Sequence, residues 1–281
     1  MWSKWELQRK LEEWLQEDIG FGDITTNSTI PEQEQGTGII YAKESGVIAG
    51  LAVAEQVFHL IDSSLVFRRL AEEGDWVEKG ASLAEVEGSV RSILSGERLA
   101  LNLLQHLSGI ATRTHQYVQA IAGTKVRLVD TRKTTPGMRM LEKYAVRVGG
   151  GHNHRYGLYD AVLIKDNHIK GAGGIGNAVL AARAAIPHTM KIEVETETLT
   201  QVQEALDAGA DIIMLDNMPT DVMQEAVQLI NGRAAVEASG GVTLETIESV
   251  AKTGVDVISV GALTHSVRAL DISLDLNQRK R

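Results

Sequence analysis

At 281 residues, 43% of them hydrophobic, the chain is long enough for one barrel with an appendage or for two ordinary domains. Its 28 basic and 37 acidic side chains give a formal charge of −9, which argues against nonspecific binding to nucleic acid or anionic membranes and favours a small-molecule partner. The absence of cysteine excludes disulfides, thiolate metal ligands and a cysteine nucleophile. The first twenty residues lack the apolar core of a signal peptide, and no stretch is long and uncharged enough to span a bilayer, so we expect a soluble, cytoplasmic protein.

The amino-terminal part of the chain is predicted to combine one helix with short strands. Four apolar residues recur at i, i+4, i+7 and i+8, on one helix face: Leu7, Leu11, Trp14 and Leu15. From about Gly36 to Val90, β-like runs alternate with glycine turns, which predicts a small sheet-rich domain. The run EGDWVEKGASLAEVEG is similar to a strand pair of lipoyl- or biotin-carrier folds, but it lacks a recognisable motif around a modifiable lysine, so a carrier role is not favoured.

The stretch SGERLALNLLQHLSGIAT is predicted to be an apolar helix with one narrow polar stripe. Arg98, Asn102 and Gln105 fall at i, i+4 and i+7 and share that stripe. A stripe of this kind packs against another chain, lines a pocket or faces solvent, and spacing alone does not choose among the three.

Beyond residue 120, six apolar runs are predicted to be buried parallel strands: KVRLVDT, AVLIKD, KIEVET, DIIMLD, AVEASGG and DVISVG. Helical stretches separate the later runs, which predicts a (β/α) barrel with fewer than the usual eight strands. Four successive strand ends lie 21, 23 and 22 residues apart, about one strand-and-helix unit: Glu195, Asp216, Ser239 and Gly261.

Polar residues end nearly every predicted strand. In barrels of this kind functional groups gather at the carboxyl edge of the sheet, so these residues are expected to meet at one mouth: Arg132, Lys133, Lys165, Asp166, Glu195, Asp216 and Ser239. The last two strand ends also carry the small residues SGG (239–241) and GA (261–262), whose backbone N–H groups can approach an anion. Loops after the last strands of a barrel often bind phosphate.

The segment from Asp130 to Arg155 is basic, with a net charge of +4, and it ends in the donor-rich loop GGGHNHR. Arginine matches carboxylate and phosphate oxygens in pairs, so the cluster favours a small polyanion. The spacing of His152 and His154 also permits zinc, but the surrounding cations would raise the electrostatic cost of a dication. Anion binding is therefore the favoured hypothesis.

Glu195 and Asp216 give the predicted mouth an acidic half. Paired carboxylates near a phosphate site hold sugar hydroxyls or coordinate Mg²⁺, directly or through water. Together with the basic half they suggest a phosphorylated sugar, carrying further phosphates, that reacts with a second anionic molecule. That description fits phosphoribosyl transfer.

Seven segments, spread over nearly the whole chain, match the motifs of one enzyme family. They are EDIGFGDITT, GERLALNLLQHLSGIAT, DTRKTTPGMRMLEKYAVRVGGGHNHRYGLYDAVLIKDNHI, IEVET, MLDN, EASGGV and GVDVISVGALTHS. On these motifs the chain resembles the quinolinate phosphoribosyltransferase (decarboxylating) family, also called nicotinate-nucleotide pyrophosphorylase. The long central motif is the most specific, because it joins the basic cluster, the glycine loop and the lysine strand in one order.

The resemblance implies an α/β fold with an N-terminal α/β sandwich-like domain at 1–108 and a C-terminal incomplete (β/α) TIM-like barrel at 109–267. The tail 268–281 would return to the first domain. It also implies Mg²⁺ as cofactor, quinolinate and phosphoribosyl pyrophosphate as substrates, and nicotinate mononucleotide, pyrophosphate and CO₂ as products in NAD biosynthesis. The implied assembly is a homodimer or a larger assembly of dimers, in which Arg98 reaches the site of the next subunit.

The resemblance also implies roles for single residues. Quinolinate would be held by Arg98, Arg132, His154, Arg155 and Lys165. Phosphoribosyl pyrophosphate would be held by Thr131, Lys133, Glu195, Asp216, Ser239, Gly240 and Gly261. The catalytic set would be Lys133, Lys165, Glu195 and Asp216, and the two acids of that set would also hold Mg²⁺, directly or through water. The roles of His152, Asp166, Asn167 and His168 stay open, with support of the site from behind as one option for KDNH.

Three rival hypotheses remain beside this one. Lys165 could form a Schiff base, as in an aldolase. The chain could be a nonenzymatic binding protein of the same fold, or a relative found with molybdate-transport genes that acts on a different substrate. The intact set of carboxylate-binding residues favours quinolinate.

Overall fold

The computed structural model describes residues 4–277, which divide into two compact units. Unit 1 comprises residues 4–113, 140–150 and 267–277, and unit 2 comprises residues 114–139 and 151–266. Residues 278–281 of the expected C-terminal tail lie outside the described residues.

The secondary structure alternates between helices and strands along most of the chain. The helices are α1 (Lys4–Ile19), α2 (Ile24–Thr29), α3 (Leu51–Ile61), α4 (Val90–Ala120), α5 (Arg139–Val148), α6 (Asp166–Ala172), α7 (Ile175–Ala185), α8 (Leu199–Asp207), α9 (Thr220–Ile230), α10 (Ile247–Ala251) and α11 (Ala262–His265). The strands are β1 (Gln35–Ala42), β2 (Gly46–Val47), β3 (Val66–Arg69), β4 (Trp76–Val77), β5 (Ser82–Ser89), β6 (Arg127–Val129), β7 (Val162–Ile164), β8 (Ile192–Thr196), β9 (Ile212–Asp216), β10 (Ala235–Ser239), β11 (Val257–Ser259) and β12 (Ile272–Asn277).

Unit 1 is built on a four-stranded antiparallel sheet in the order β12-β1-β5-β3, with a separate β2-β4 pair. Strand β1 has a buried residue at every second position, as expected for a strand with one covered face. The predicted first helix is present as α1, and Leu7, Leu11 and Leu15 of its apolar face are buried.

The prediction of β-like runs throughout 36–90 is wrong for residues 51–61, which form helix α3. Leu51, Ala54 and Phe58 fall at i, i+3 and i+7 and are buried, so a helical repeat lies inside the region. Gly50 precedes the helix with a φ of 107°, a conformation that glycine adopts readily.

The polar stripe of α4 divides between two environments. Gln105 is half-buried, and its Nε2 donates to the carbonyl oxygen of Ile272 in β12 at 2.6 Å. Arg98 keeps 61% of its side chain exposed, with a peripheral contact of 3.9 Å to Glu97. Gln105 therefore stabilises unit 1, whereas Arg98 faces outward.

The basic segment does not act as one cationic patch. Residues 140–150 belong to unit 1, and within them Lys143 and Glu142 are fully buried, with Glu142 Oε1 lying 2.9 Å from His106 Nε2. Helix α5 is amphipathic and buries Leu141, Ala145 and Val146, so its apolar face carries these charged residues inward. Only part of the predicted cluster remains for the mouth of the barrel.

Unit 2 contains all six predicted strands in one sheet, in the order β6-β11-β10-β9-β8-β7, and every neighbouring pair is parallel. Ile192, Val194, Ile213, Leu215 and Ala238 are all fully buried, which explains why the strands appear in the sequence as continuous apolar runs. The expected incomplete α/β barrel is thus confirmed. Within residues 4–277, no helix combines the length and the apolar character needed to cross a membrane.

Candidate active site

A cavity of about 780 Å³ opens at the carboxyl ends of the unit 2 strands. Its lining includes every predicted site residue except Arg98, which belongs to unit 1, and Asp166, whose expected place at the mouth is wrong because it pairs with Lys170 on the surface. These lining residues are Thr131, Arg132, Lys133, His154, Arg155, Lys165, Glu195, Asp216, Ser239, Gly240 and Gly261. Strand ends and the loops that follow them therefore bring the predicted residues together, as the barrel pattern required.

The basic half of the cavity contains guanidinium groups that lack an anionic partner within residues 4–277. Arg132 Nε is buried and has no hydrogen-bond acceptor there. Burial and the neighbouring Arg132 lower the pKa of Arg155, although Glu193 and Asp160 act in the opposite direction. A buried donor without a partner and two mutually repelling cations are both stabilised by a bound carboxylate or phosphate.

Lys133 is held at the mouth through its backbone. Its N–H donates to Thr131 Oγ1 at 3.1 Å, and its carbonyl oxygen accepts the hydroxyl of Thr264 at 2.7 Å. A Cβ on Gly261 would come within 3.0 Å of both Lys133 Cδ and His265 Cδ2. Glycine at 261 therefore leaves the space that the Lys133 side chain occupies.

The acidic half is formed by Glu195 at the end of β8 and Asp216 at the end of β9. Glu195 Oε2 forms an ion pair with Lys165 Nζ, and Asp216 Oδ2 accepts a hydrogen bond from Asn217 Nδ2 at 2.8 Å. Within the described part of the chain, Glu195 Oε1 and Asp216 Oδ1 accept no hydrogen bond. Each carboxylate thus keeps one oxygen for a hydroxyl group or a hard cation.

The loop after β10 has the backbone conformation expected of an anion-binding turn. Gly240 and Gly241 have φ values of 89° and 62°, which side-chain-bearing residues rarely adopt. Asp216 and Ser239 are register partners in adjacent strands, so the loop lies beside the acidic half.

His154 contacts two buried carboxylates that the sequence analysis missed. Its Nε2 lies 3.1 Å from Glu193 Oε2 and 3.5 Å from Glu237 Oε2, and Glu193 Oε1 and Glu237 Oε1 have no hydrogen-bond donor within residues 4–277. Burial lowers the pKa of His154, but the hydrogen bonds and charges of the two acids prevail and raise it to about 10. Burial also raises the pKa of Glu193.

The backbone N–H of Arg155 donates to His154 Nδ1 at 2.8 Å, so the ring proton lies on Nε2. Nε2–H therefore points toward the two acids, whose negative charges favour a positive charge on the ring. His154 lines the cavity, yet both of its ring nitrogens already contact other groups of the chain.

The loop GGGHNHR is anchored by a buried aspartate. Asp130 is fully buried, with Oδ1 accepting from the His154 N–H at 2.9 Å and Oδ2 from Asn153 Nδ2 at 2.6 Å. His152 bridges to Val129 through its backbone and extends the sheet beside β6. In the described residues, the group with metal-ligand spacing joins His154 to Glu193 and Glu237, not to His152.

The segment KDNH supports Lys165 from the following helix turn. His168 Nδ1 accepts the backbone N–H of Lys165 at 2.9 Å, whereas Asp166 pairs with Lys170 at 2.9 Å on the surface. Asn167 does not line the cavity.

The sequence analysis did not single out several polar residues of the site, among them Asn217, Glu237 and His265 of the cavity lining and Glu193, which contacts His154. A usable signal was present for the acids. Glu193 and Glu195 alternate within one buried strand, so they face the same side, and Glu237 is a charged residue inside another buried run.

The parallel sheet and the cavity at its carboxyl edge define an open α/β-barrel protein with a charged mouth. Comparison with known proteins specifies the family. Residues 23–108 match the family model of the quinolinate phosphoribosyl transferase N-terminal domain, and residues 110–275 match that of its C-terminal domain. The chain belongs to the quinolinate phosphoribosyl transferase family.

Individual relatives are similar over nearly their whole length. A probable nicotinate-nucleotide pyrophosphorylase [carboxylating] of Bacillus subtilis is 48% identical over 271 residues, covering 96% of this chain and 93% of that protein. A protein of the same name from Synechocystis is 52% identical over 269 residues, covering 95% and 91%. The crystal structure of NadC from Streptococcus pyogenes superposes with a TM-score of 0.95 at 44% identity, covering 99% of this chain and 98% of that one.

Proposed function

We propose that this protein transfers the phosphoribosyl group of phosphoribosyl pyrophosphate to quinolinate, with decarboxylation, and so forms nicotinate mononucleotide, pyrophosphate and CO₂ for NAD biosynthesis. The observation that carries the proposal is the division of one cavity into a basic half, in which the buried Nε–H of Arg132 has no acceptor among residues 4–277, and an acidic half beside a glycine loop. Relatives that match over most of their length bear names for this activity. The alternative of a molybdate-transport relative is not favoured.

Quinolinate is assigned to the basic half. Its two carboxylates would pair with Arg132, Arg155 and Lys165, because these cations line the cavity and two of them repel each other. A substrate with only one carboxylate would leave a cation unpaired, which is the basis for discrimination against nicotinate. His154 is the fourth predicted ligand, and Arg98 is proposed to enter from the partner in a homodimer or an assembly of dimers.

Phosphoribosyl pyrophosphate is assigned to the other half. The 5′-phosphate would occupy the glycine loop and its neighbours, and the ribose hydroxyls would lie against the acids. The residues assigned to this substrate are Thr131, Lys133, Glu195, Asp216, Ser239, Gly240 and Gly261.

Mg²⁺ is the proposed cofactor. Two carboxylates with one uncommitted oxygen each are a donor set that fits a hard dication that keeps several waters. Glu195 and Asp216 would hold it, directly or through water. Neutralisation of charge on the departing pyrophosphate is the chemistry that the ion would supply when bound.

In the proposed reaction the pyridine nitrogen attacks the anomeric carbon, and pyrophosphate leaves with the electron pair of the broken C–O bond. The basic residues orient the ring so that its nitrogen lies close to that carbon, and this positioning lowers the entropic part of the activation barrier. Lys133 stabilises the negative charge of the leaving group. The new C–N bond makes the ring an electron sink, so the adjacent carboxylate departs as CO₂ afterwards, and a proton takes its place on the ring carbon.

The testing experiment measures pyrophosphate and CO₂ release from phosphoribosyl pyrophosphate and Mg²⁺, with quinolinate or nicotinate as the acceptor. We expect release with quinolinate only, loss of activity in EDTA, and strong loss in Lys133→Ala but not in the exposed control Lys252→Ala. Release with neither acceptor would contradict the proposal. Rapid-quench samples should contain the dicarboxylated mononucleotide, and CO₂ release before any nucleotide forms would overturn the order of steps.

The proposed assembly and location are tested separately. Sedimentation should give a dimer or a multiple of dimers, and mixing Arg98→Ala with Lys133→Ala protein should restore part of the activity if Arg98 acts in the partner's site. No restoration would place Arg98 outside that site. The protein is proposed to be cytoplasmic, and cell fractionation checks this.

A further inference from the structure

Asn217 has a backbone conformation that non-glycine residues seldom adopt. Its φ is 54°, and within residues 4–277 the other non-glycine residue with positive φ is Asn231. Asn231 ends helix α9, where its N–H caps the carbonyl oxygen of Val227, so its conformation has an ordinary explanation. Asn217 instead follows strand β9 directly, and strain at such a position persists where the surroundings require it.

Asn217 contacts both strand ends of the ribose-phosphate half, one through its side chain and the other through its backbone. Its Nδ2 donates to Asp216 Oδ2 at 2.8 Å, and its backbone N–H donates to the carbonyl oxygen of Ser239 at 2.9 Å. A Cβ on Gly240 would lie 2.3 Å from Asn217 Oδ1 and 2.5 Å from its Cγ, so the carboxamide fills the space above that glycine.

These contacts have a directional consequence. The amide donor engages Oδ2 of Asp216 and leaves Oδ1 to the cavity, while the same side chain packs on the loop that carries Ser239, Gly240 and Gly241. An aspartate in place of Asn217 has the same shape and tolerates the same backbone, but it would bring a second carboxylate to Asp216 in place of a donor. A glycine would keep the backbone and remove the donor.

We propose that Asn217 is a positioning residue that fixes the Asp216 carboxylate and the Ser239–Gly241 loop relative to each other, and so sets the site for the ribose and its 5′-phosphate. This inference deepens the proposed function and rests on it.

The test compares Asn217→Gly, Asn217→Asp and the matched control Asn231→Gly, which removes the other left-handed asparagine. We expect both Asn217 variants to raise the KM for phosphoribosyl pyrophosphate about 10- to 100-fold, with an unchanged Kd for quinolinate and an unchanged Tm within a few degrees for Asn217→Gly. The control should match wild type in KM. Calorimetry with nicotinate mononucleotide in EDTA should show weaker binding by both Asn217 variants and wild-type binding by the Asn231→Gly control. This measurement does not depend on turnover.

A purely space-filling role predicts wild-type behaviour for the isosteric Asn217→Asp, and that result would overturn the inference. Equal losses for quinolinate and for the mononucleotide would also overturn it, because they indicate general loosening of the barrel. If wild type fails to release pyrophosphate with quinolinate, the proposed function fails. The calorimetric comparison with the mononucleotide then still decides the role of Asn217.

Discussion

His154 Nε2 lies 3.1 Å from Glu193 Oε2, on the side of the imidazole that faces a pair of buried acids. The second acid, Glu237, lies 3.5 Å from the same nitrogen, and both acidic side chains are at most 5% exposed. Both carboxylates favour the charged form of the imidazole, so His154 holds its proton more strongly in the fold than in the unfolded chain.

The stability of the protein should therefore fall at high pH through this cluster. Because the pKa of His154 in the fold is about 10, against an ordinary value of 6.5, its stabilising contribution is complete below pH 6.5 and is lost as the pH rises through about 10. Glu237→Gln removes one acid that raises this pKa, so the loss should begin at lower pH. Urea unfolding between pH 6 and 10.5 measures the shift, with the exposed Glu248→Gln as control, and identical pH profiles for the two variants would contradict it.

Asp130 should be a determinant of stability as well as of loop position. Asp130→Asn replaces a carboxylate oxygen that accepts from Asn153 or from the His154 N–H by an amide that cannot accept. We expect a loss of about 2–3 kcal/mol in the free energy of unfolding, the range for a buried charged hydrogen bond. Denaturant melts test this against Asp207→Asn on the exposed face of α8, which should change stability by less than about 0.5 kcal/mol. Similar values for both would show that Asp130 does not anchor the loop.

Arg132 should distinguish the two substrates. Arg132→Ala removes a cation whose buried Nε–H has no acceptor among residues 4–277, so quinolinate affinity should fall about 100-fold while affinity for phosphoribosyl pyrophosphate changes only a few-fold. Calorimetry with each ligand measures both quantities. Arg147→Ala is the matched control, since Arg147 comes from the same basic segment but is exposed in unit 1. Equal losses for the two ligands would refute the assignment of Arg132.

Gly261 should matter because of space and not because of backbone conformation. Its φ is −66°, which alanine adopts freely, but a Cβ there would push against Lys133 Cδ and His265. Gly261→Ala should raise the KM for phosphoribosyl pyrophosphate about tenfold and leave the quinolinate Kd unchanged. Gly176→Ala in α7, where a Cβ meets nothing within 4 Å, should leave both unchanged. An unaltered KM in Gly261→Ala would mean that Lys133 tolerates displacement.

The barrel could be predicted from the sequence because its strands are continuous apolar runs and the last four strand ends recur at a regular interval. The same regularity located the cavity, since parallel strands bring their carboxyl ends to one edge. The amino-terminal unit was harder to predict. Helix α3 lies between short strands, and its helical repeat is only three turns long, so local patterns there support either structure.

The charged residues show a different limit. Lys143 belongs by sequence to the same basic segment as Lys133, but an amphipathic helix carries it into the core of unit 1. A count of charges along the sequence does not show which side chains point inward. Glu193 and Glu237 are separated by two strand-and-helix units in the chain, and their meeting at His154 depends on the curvature of the sheet. Contacts of this kind cannot be inferred from the order of residues in one sequence.

The strand order also has a consequence for biosynthesis. Strand β6 pairs with β11, with Val129 opposite Ser259, and the carbonyl oxygen of Lys133 accepts a hydrogen bond from Thr264. Both partners are synthesised more than 120 residues after the groups that they contact. In unit 1, one edge of β1 likewise stays unpaired until β12 has been synthesised. A nascent chain emerging from the ribosome thus carries both sheets with an open edge until these late strands arrive, and contacts so distant in sequence form slowly. The cationic side of the catalytic cavity is therefore among the last parts of the molecule to mature.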